Sequence, residues 1–265
     1  GVSVGRLFLG GFVPGVLLGV VLMIASYIIA VKRRYPKEKP YTLREAIRIS
    51  KEAILGIFTA VIIIGGVISG VFTATESAAV ACVYAFFVTF FIYREIPLSR
   101  MNKILYSSLK TLAMVMSLIA AAKAFGWLLA YLKIPGMATS LLLSVTDNPI
   151  LLLLLVNLLL LGLGCIMDMA PLILITTPIL FPVVVGTLGM HPVQFGIMMM
   201  LNLGIGLCTP PVGSALFVGC AVGKISIEKA TKAMLPFYAA MIVVLLLVTF
   251  IPQLVLFIPN MLMGN

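Results

Sequence analysis

Long runs of apolar residues dominate the chain, and they do not alternate with polar ones; Ile150-Leu-Leu-Leu-Leu-Leu-Val156 is the plainest case. A lipid-facing strand would alternate apolar and polar positions. These runs instead predict helices, several of them reaching the about 20 residues that cross a hydrocarbon core. A first span is predicted from Leu7 to Val31, closed by Lys32-Arg33-Arg34, and Tyr35–Pro40, with its two prolines, reads as a loop. Thr42-Leu-Arg-Glu45 has the spacing of a capping box, in which hydroxyl and carboxylate satisfy the first free N–H groups of a helix. The helix that follows sets Leu43, Ile47 and Ile54 on one face and Arg44, Arg48 and Lys51 on others, the pattern of an amphipathic helix lying at a membrane surface.

Further along, Ala53–Phe72 is predicted to cross outward and Ser77–Tyr93 to return, joined by the turn Ser69-Gly-Val-Phe-Thr-Ala-Thr-Glu76. From Ile104 to Tyr131 the chain reads as helical, with Lys123 and Gly126 as interruptions and Pro135-Gly136 as its end. One long span and a re-entrant hairpin both satisfy that pattern. Asp147-Asn-Pro149 caps a helix that runs to Gly162-Leu-Gly164; a broken region follows at Cys165–Pro171, and Pro178 and Pro182 punctuate the next helix. Gly189-Met-His-Pro192 is a turn that puts Pro at the first helical position. The helix from Val193 leads into Asn202-Leu-Gly-Ile-Gly-Leu-Cys-Thr-Pro-Pro-Val-Gly213, after which come Ser214–Val222, the basic Lys224–Lys232 and a last span from Phe237 to Phe257.

Composition agrees: 62% of the residues are hydrophobic and 10% charged, where a soluble domain carries roughly 25% charged. The fold class is therefore an all-α polytopic membrane protein with discontinuous or re-entrant helices. It is expected to be a single transmembrane domain over 1–265, with residues 32–52 as a cytoplasmic basic loop and interfacial helix. The net charge of +10 raises a nucleic-acid reading, but eight of the 18 Lys and Arg lie between Lys32 and Lys51. Others sit in Arg94–Lys103 and Lys224–Lys232, which is how positive cytoplasmic loops are spaced between spans. Nucleic acid is excluded as a partner and the lipid bilayer takes its place. Cys82, Cys165, Cys208 and Cys220 lie in apolar segments without CxxC spacing, so they are expected to be buried thiols rather than a metal site or disulfide framework. The chain opens on Gly1 with no signal-peptide pattern, as expected of a trimmed start or a piece of a longer protein.

Chemistry is expected where the helices break. Unpaired backbone groups are costly in lipid, and breaks are tolerated where freed carbonyls line a cavity or coordinate an ion. In Asn202–Gly213, Gly204 and Gly206 permit close approach, and Pro210 and Pro211 remove donors and leave upstream carbonyls free. Thr209 Oγ1 and the Asn202 amide oxygen add hard donors suited to Na⁺; a Pro-kinked helix satisfied by its neighbours is the competing reading. Asp168 is the one acidic residue deep in the second half. A carboxylate there costs at least ~2.5 kcal/mol at the bilayer centre and normally has a partner, so it is either a cation or proton site or a cap on a broken helix. Glu76, within Thr73-Ala-Thr-Glu76, stands where a helix dipole favours a carboxylate. Thr75, Glu76 and Thr177 are the remaining candidates for lining or gating a substrate path. Lys123 reads as a snorkelling side chain and His191 as a turn residue with pH-sensing potential. No Ser/His/Asp set, metal-ligand spacing or Walker motif is present, and Asp168 lacks the second aspartate of an intramembrane protease, so an enzyme is not expected.

Gly70-Val-Phe-Thr-Ala-Thr-Glu-Ser-Ala-Ala-Val80, Met167-Asp168, Pro178-Ile-Leu-Phe-Pro182, Gly189-Met-His-Pro-Val-Gln-Phe-Gly196 and the Asn202–Gly213 run together resemble the large membrane subunit of TRAP transporters, the DctM-like family. The resemblance covers essentially the whole chain in order and matches the C-terminal part of that subunit. It implies one half of an inverted-repeat, elevator-type secondary transporter in the bacterial inner membrane. It further implies import of an organic acid such as a C4-dicarboxylate or sialic acid, Na⁺ as coupling ion and no other cofactor. The implied partners are a small membrane subunit and a periplasmic solute-binding protein. The family's first repeat has no counterpart here, so half the cavity and part of the ion coordination are expected from sequence beyond this chain. The alternatives are a truncated membrane fragment with only an assembly role and a membrane-embedded hydrolase.

Overall fold

The computed structural model describes residues 2–35, 42–94, 96–146 and 148–264. The expected loop at 36–40, the share of Asp147 in a helix cap and the side chain of Lys51 lie outside the described parts. Regular structure among the described residues is helical throughout: α1 Val4–Gly10, α2 Phe12–Lys32, α3 Leu43–Ile68, α4 Ala74–Phe87, α5 Met101–Tyr131, α6 Ile134–Val145, α7 Pro149–Gly164, α8 Met169–Phe181, α9 Pro192–Leu207, α10 Ser214–Gly223, α11 Ile227–Phe250 and α12 Gln253–Met263. Wider π-helical turns extend α4 over Val88–Tyr93 and α8 over Pro182–Thr187. Among the described residues five helices are long and apolar enough to cross a membrane, or six if α3 is one bent span. This is an all-α polytopic membrane protein.

The helices group into two compact units. The smaller holds Ser3–Gly5 and the described part of Arg33–Met114, and is organised by the α3–α4 pair. Both helices begin with a reciprocal cap, expected as a capping box at Thr42–Glu45 and found also at Thr73–Glu76. The Glu45 carboxylate accepts from Thr42 N at 2.9 Å while Thr42 Oγ1 accepts from Glu45 N at 3.4 Å; the same pair of bonds joins Thr73 and Glu76 at 2.8 and 3.3 Å. The two helices then close on a glycine: a Cβ on Gly66 would lie 2.5 Å from the fully buried Ser77 Oγ. Lower down, the Tyr84 hydroxyl donates to the Leu55 carbonyl at 3.1 Å.

The larger unit holds Arg6–Lys32 together with the described part of Val115–Asn265. Its core is built from Val156, Leu160, Leu172, Leu180, Val184, Phe195, Met198, Leu203, Val244 and Val248. Helix α9 runs through the middle of this core, and its neighbours reveal the topology. Asn157 of α7 meets Met198 and Asn202, and Gly164 meets Gly206, so α7 runs parallel to α9. Thr177 meets Met199 and Phe181 meets Phe195, so α8 runs antiparallel to it. Together α7 and α8 form a hairpin laid along α9, with its tip at residues 165–168. At 16 residues α7 is about 24 Å long, while its partner arm with the π-helical extension, Met169–Thr187, is long and apolar enough to cross a membrane.

Three expectations change. The region from Ile104 is one continuous helix through Tyr131, because Lys123 and Gly126 each leave the backbone bonds intact; a lone Gly costs only about 1 kcal/mol. The chain turns at Lys133, in the left-handed conformation at φ 54°, and Pro135 opens α6 rather than ending α5. The last long helix spans Ile227–Phe250 instead of ending at Phe257, because Pro252 disfavours the helical conformation at Ile251, which stands at φ −118°, ψ 88°.

His191 caps α9, its Nδ1 accepting from Val193 N at 3.2 Å. Burial, helped by the Arg6 cation, pushes the imidazole below its usual 6.5. The folded protein thus resists protonation more than the unfolded chain does. The stability the neutral cap contributes is complete above about pH 6.5 and is lost as pH falls through the lowered value. Thermal unfolding of detergent-solubilised protein should show this acid-side loss, and His191→Asn, a cap that does not titrate, should flatten it.

Candidate functional site

The two interruptions of the α7–α8 hairpin and of the α9–α10 helix lie side by side. A Cβ placed on Gly206 would fall 2.5 Å from the Gly164 carbonyl carbon, 2.7 Å from its Cα and 2.8 Å from its oxygen. Only backbone against backbone fits there. Just past this contact the Val212 amide donates to the Cys165 carbonyl at 2.9 Å, so each interruption satisfies a polar group of the other.

The break is shorter than the Asn202–Gly213 run suggests. Asn202, Gly204 and Gly206 are all within α9, whose regular bonding persists to Leu207. The departure falls at Cys208–Gly213 because only proline deletes an N–H. Pro210 and Pro211 are the residues that would have donated to Gly206 and Leu207. The Gly206 carbonyl recovers a donor from Thr209 N at 2.9 Å, while Leu207, Pro210 and Pro211 accept no hydrogen bond from the described residues. Thr209 Oγ1 donates back to the Ile205 carbonyl at 2.7 Å, which leaves its lone pairs as acceptors, and the Tyr238 hydroxyl donates to Cys208 O. Gly213 is buried and packed against Thr209 O and Leu207 O, where a Cβ would stand 2.6 and 2.7 Å away.

Asp168 sits at the hairpin tip as the residue preceding α8; its carboxylate is exposed and makes no capping bond, while its carbonyl accepts from Leu172 N at 3.3 Å. Gly213 likewise opens α10 without a side-chain cap. The C-terminal ends of α7 and α9, with partly free carbonyls, therefore meet next to the uncapped N-terminal ends of α8 and α10. Helix dipoles make the former pair attractive to cations and the latter to anions. Thr177 is elsewhere on α8: its hydroxyl is committed to Ile173 O and Met199 Sδ, and it lines an apolar groove of about 350 Å³ with Leu7, Phe181 and Phe195. Thr75 and Glu76 belong to the α3–α4 unit, where Thr75 is exposed and the Glu76 carboxylate is held by Thr73.

Beyond the expected residues, Asn157 is the notable addition. It is 5% exposed, donates to Leu153 O at 2.9 Å and Thr249 Oγ1 at 3.3 Å, and accepts from Asn202 Nδ2 at 2.9 Å. As the single polar side chain in the apolar run of α7, it carried a signal that the break motifs overshadowed. The thiols depart from expectation. Cys220 is buried, but Cys165 and Cys208 are half-buried at the two breaks and Cys82 is exposed. Among the described residues no three of His, Cys, Asp and Glu group closely enough to hold a metal ion. Backbone carbonyls and Thr209 are thus the oxygen donors concentrated at the break.

Comparison with known proteins fits this geometry. Residues 1–254 match the family of the tripartite ATP-independent periplasmic transporter, DctM component. The chain is 42% identical to the sialic acid TRAP transporter large permease protein SiaM of Vibrio cholerae, over 99% of its own length and 61% of that protein. It is 42% identical to the C4-dicarboxylate TRAP transporter large permease protein DctM of Pseudomonas aeruginosa, over 97% and 60%. A 36% identity to the 2,3-diketo-L-gulonate TRAP transporter large permease protein YiaN of Escherichia coli covers 97% and 60%. The chain spans about 60% of the length of these curated relatives.

The contact at the crossing gives a paired test. Gly206→Ala should destabilise by about 1–3 kcal/mol, since the opposing atoms are backbone and cannot rotate aside. Gly204→Ala, with nothing within 4 Å of its Cβ, should be neutral or stabilising by about 0.5–1 kcal/mol. Thermal unfolding of both variants in the same detergent reads the difference; equal shifts would mean the crossing is not tight.

Proposed function

The chain belongs to the DctM component family of tripartite ATP-independent periplasmic transporters, and from that membership we propose that it forms the ion- and substrate-handling part of a large permease that imports an organic acid by Na⁺-coupled symport. Delivery by a periplasmic binding protein and assembly with a small membrane subunit belong to the same proposal, as does residence in the bacterial inner membrane. Three lines support it. The relatives are named for sialic acid, C4-dicarboxylate and 2,3-diketo-L-gulonate, all carboxylate-bearing solutes. The family is ATP-independent by description, which leaves an ion gradient as the energy source. Periplasmic substrates are imported across the inner membrane.

The observation that carries the proposal is the juxtaposition of the two helix breaks, tied by the Val212–Cys165 bond. In it, the Gly206, Leu207 and Pro210 carbonyls with Thr209 Oγ1 supply the hard oxygens that Na⁺ needs, at helix C-termini whose dipoles favour a cation. The uncapped N-termini of α8 and α10 offer free N–H groups to a substrate carboxylate. Asp168, at the tip between them, places a negative charge where ion occupancy would offset it. Asn202 and Gly204 support this arrangement from within α9 rather than from its end. Thr75, Glu76 and Thr177 stay as lining positions of lesser weight, because their hydroxyls and carboxylate are exposed or engaged in local bonds.

The test is uptake into proteoliposomes by the full-length permease assembled with its partner subunits. Thr209→Val should raise the Na⁺ concentration for half-maximal uptake about tenfold, the equivalent of one lost ligand worth about 1.4 kcal/mol. Asp168→Asn should lower maximal uptake and weaken its dependence on Na⁺. Unchanged Na⁺ dependence in both variants would overturn the ion-site assignment.

A further inference from the structure

Away from the breaks, polar side chains are buried in the core of the larger unit and join three helices. Asn202 of α9 is fully inaccessible, and both protons of its amide are spent on Asn157 of α7, reaching the backbone O and Oδ1 at 2.9 Å each. Asn157 in turn donates to Thr249 Oγ1 of α11 at 3.3 Å. Gln194, at the other end of α9, donates to the carbonyls of Val248 and Thr249 at 3.1 and 2.9 Å. The amide orientations follow from the partners: turning Asn202 over would set its oxygen against two acceptors.

The surrounding contacts are Leu, Val and Met, which pack without direction. Sliding α9 along α7 by one turn would exchange one set of aliphatic contacts for another. It would also strand the N–H donors of both amides, in addition to Asn202 Oδ1, which already has no partner among the described residues, and a buried unsatisfied polar group costs about 1–3 kcal/mol. A single buried polar residue fixes the register of paired helices on this principle. Asn202 lies about 7 Å along the axis before Leu207, and Asn157 about 10 Å before Gly164. They are too far back along their helices to touch an ion at the helix ends, yet they determine whether Gly206 faces Gly164 and Val212 reaches Cys165.

We propose that Asn157 and Asn202 form a buried amide clasp that sets the register of α7 against α9, and that ion affinity at the break depends on this pair although neither residue ligates the ion. Both are positioning residues. The inference rests on the ion site proposed above, but the clasp has a consequence that does not: the Val212 amide is held only when the two breaks are in register.

Two readouts on the full-length permease with its partners test it. Hydrogen exchange of the segment covering 208–216, where Pro210 and Pro211 contribute no amide, reports the Val212–Cys165 bond. The Na⁺ concentration for half-maximal uptake reports the site. Asn202→Asp keeps the side-chain oxygen, exchanges the NH2 for a second oxygen and so loses both N–H donors. The clasp predicts lost protection of the segment and a roughly tenfold rise in the half-saturating Na⁺, with maximal uptake kept at saturating Na⁺. Direct ligation by Asn202 predicts the opposite, unchanged or tighter Na⁺ binding, and that result would overturn the clasp. The double variant Asn157→Leu/Asn202→Leu strands no amide and should regain thermal stability over either single leucine variant, while protection and Na⁺ affinity stay impaired. Recovery of both would equally refute the proposal. If Thr209→Val leaves Na⁺ dependence unchanged while Asn202→Asp still unprotects the segment, the ion-site reading fails and the clasp stands.

Discussion

The hydrogen bond from Val212 to the Cys165 carbonyl answers the constraint that governs every other part of this molecule. In hydrocarbon a backbone that leaves the helix must find new partners within the protein. One interrupted helix cannot supply them by itself. Two interruptions placed back to back can, provided the main chains approach closely, and Gly164 and Gly206 are the residues that allow it. The hairpin α7–α8, the central position of α9 and the placement of α11 behind it all serve to bring these two stretches together.

Electrostatics follows from the same arrangement. Four helix ends converge without capping side chains at α8 and α10, and with carbonyls freed by Pro210 and Pro211 at the end of α9. Opposite partial charges thereby share a small volume. Capping was plainly available to this chain, since Thr42–Glu45 and Thr73–Glu76 close their helices fully. Asp168 and Gly213 lack such closure, as do the starts of α6, α11 and α12, so it is their convergence on one place that sets them apart.

Much of this was legible from local chemistry. Capping boxes depend on residues three apart: Thr42–Glu45 read as one, and Glu76 read as a carboxylate at a helix start without its bond to Thr73. The turn before Pro192 and the break near Gly164 also followed from local signals. What failed to read was anything set by partners distant in the chain. The course of 104–131 could not be decided, because Lys123 and Gly126 look like interruptions, and the break at Cys165–Pro171 was legible while its pairing with the end of α9 was not. The extent of the second break was overdrawn for a related reason. Glycines tolerate a break but do not impose one, so Gly204 and Gly206 stayed helical until proline removed the donors. Asn157 was overlooked because one amide in a leucine run acquires meaning only when its partner on another helix is known.

The links among α7, α9 and α11 also bear on motion. Side-chain hydrogen bonds join all three pairwise, and the Tyr238 hydroxyl of α11 reaches the break itself through Cys208. A structure tied in this way slides as a block. Any displacement of one of these helices along another would have to break the buried bonds, so α7, α9 and α11 are held as one unit.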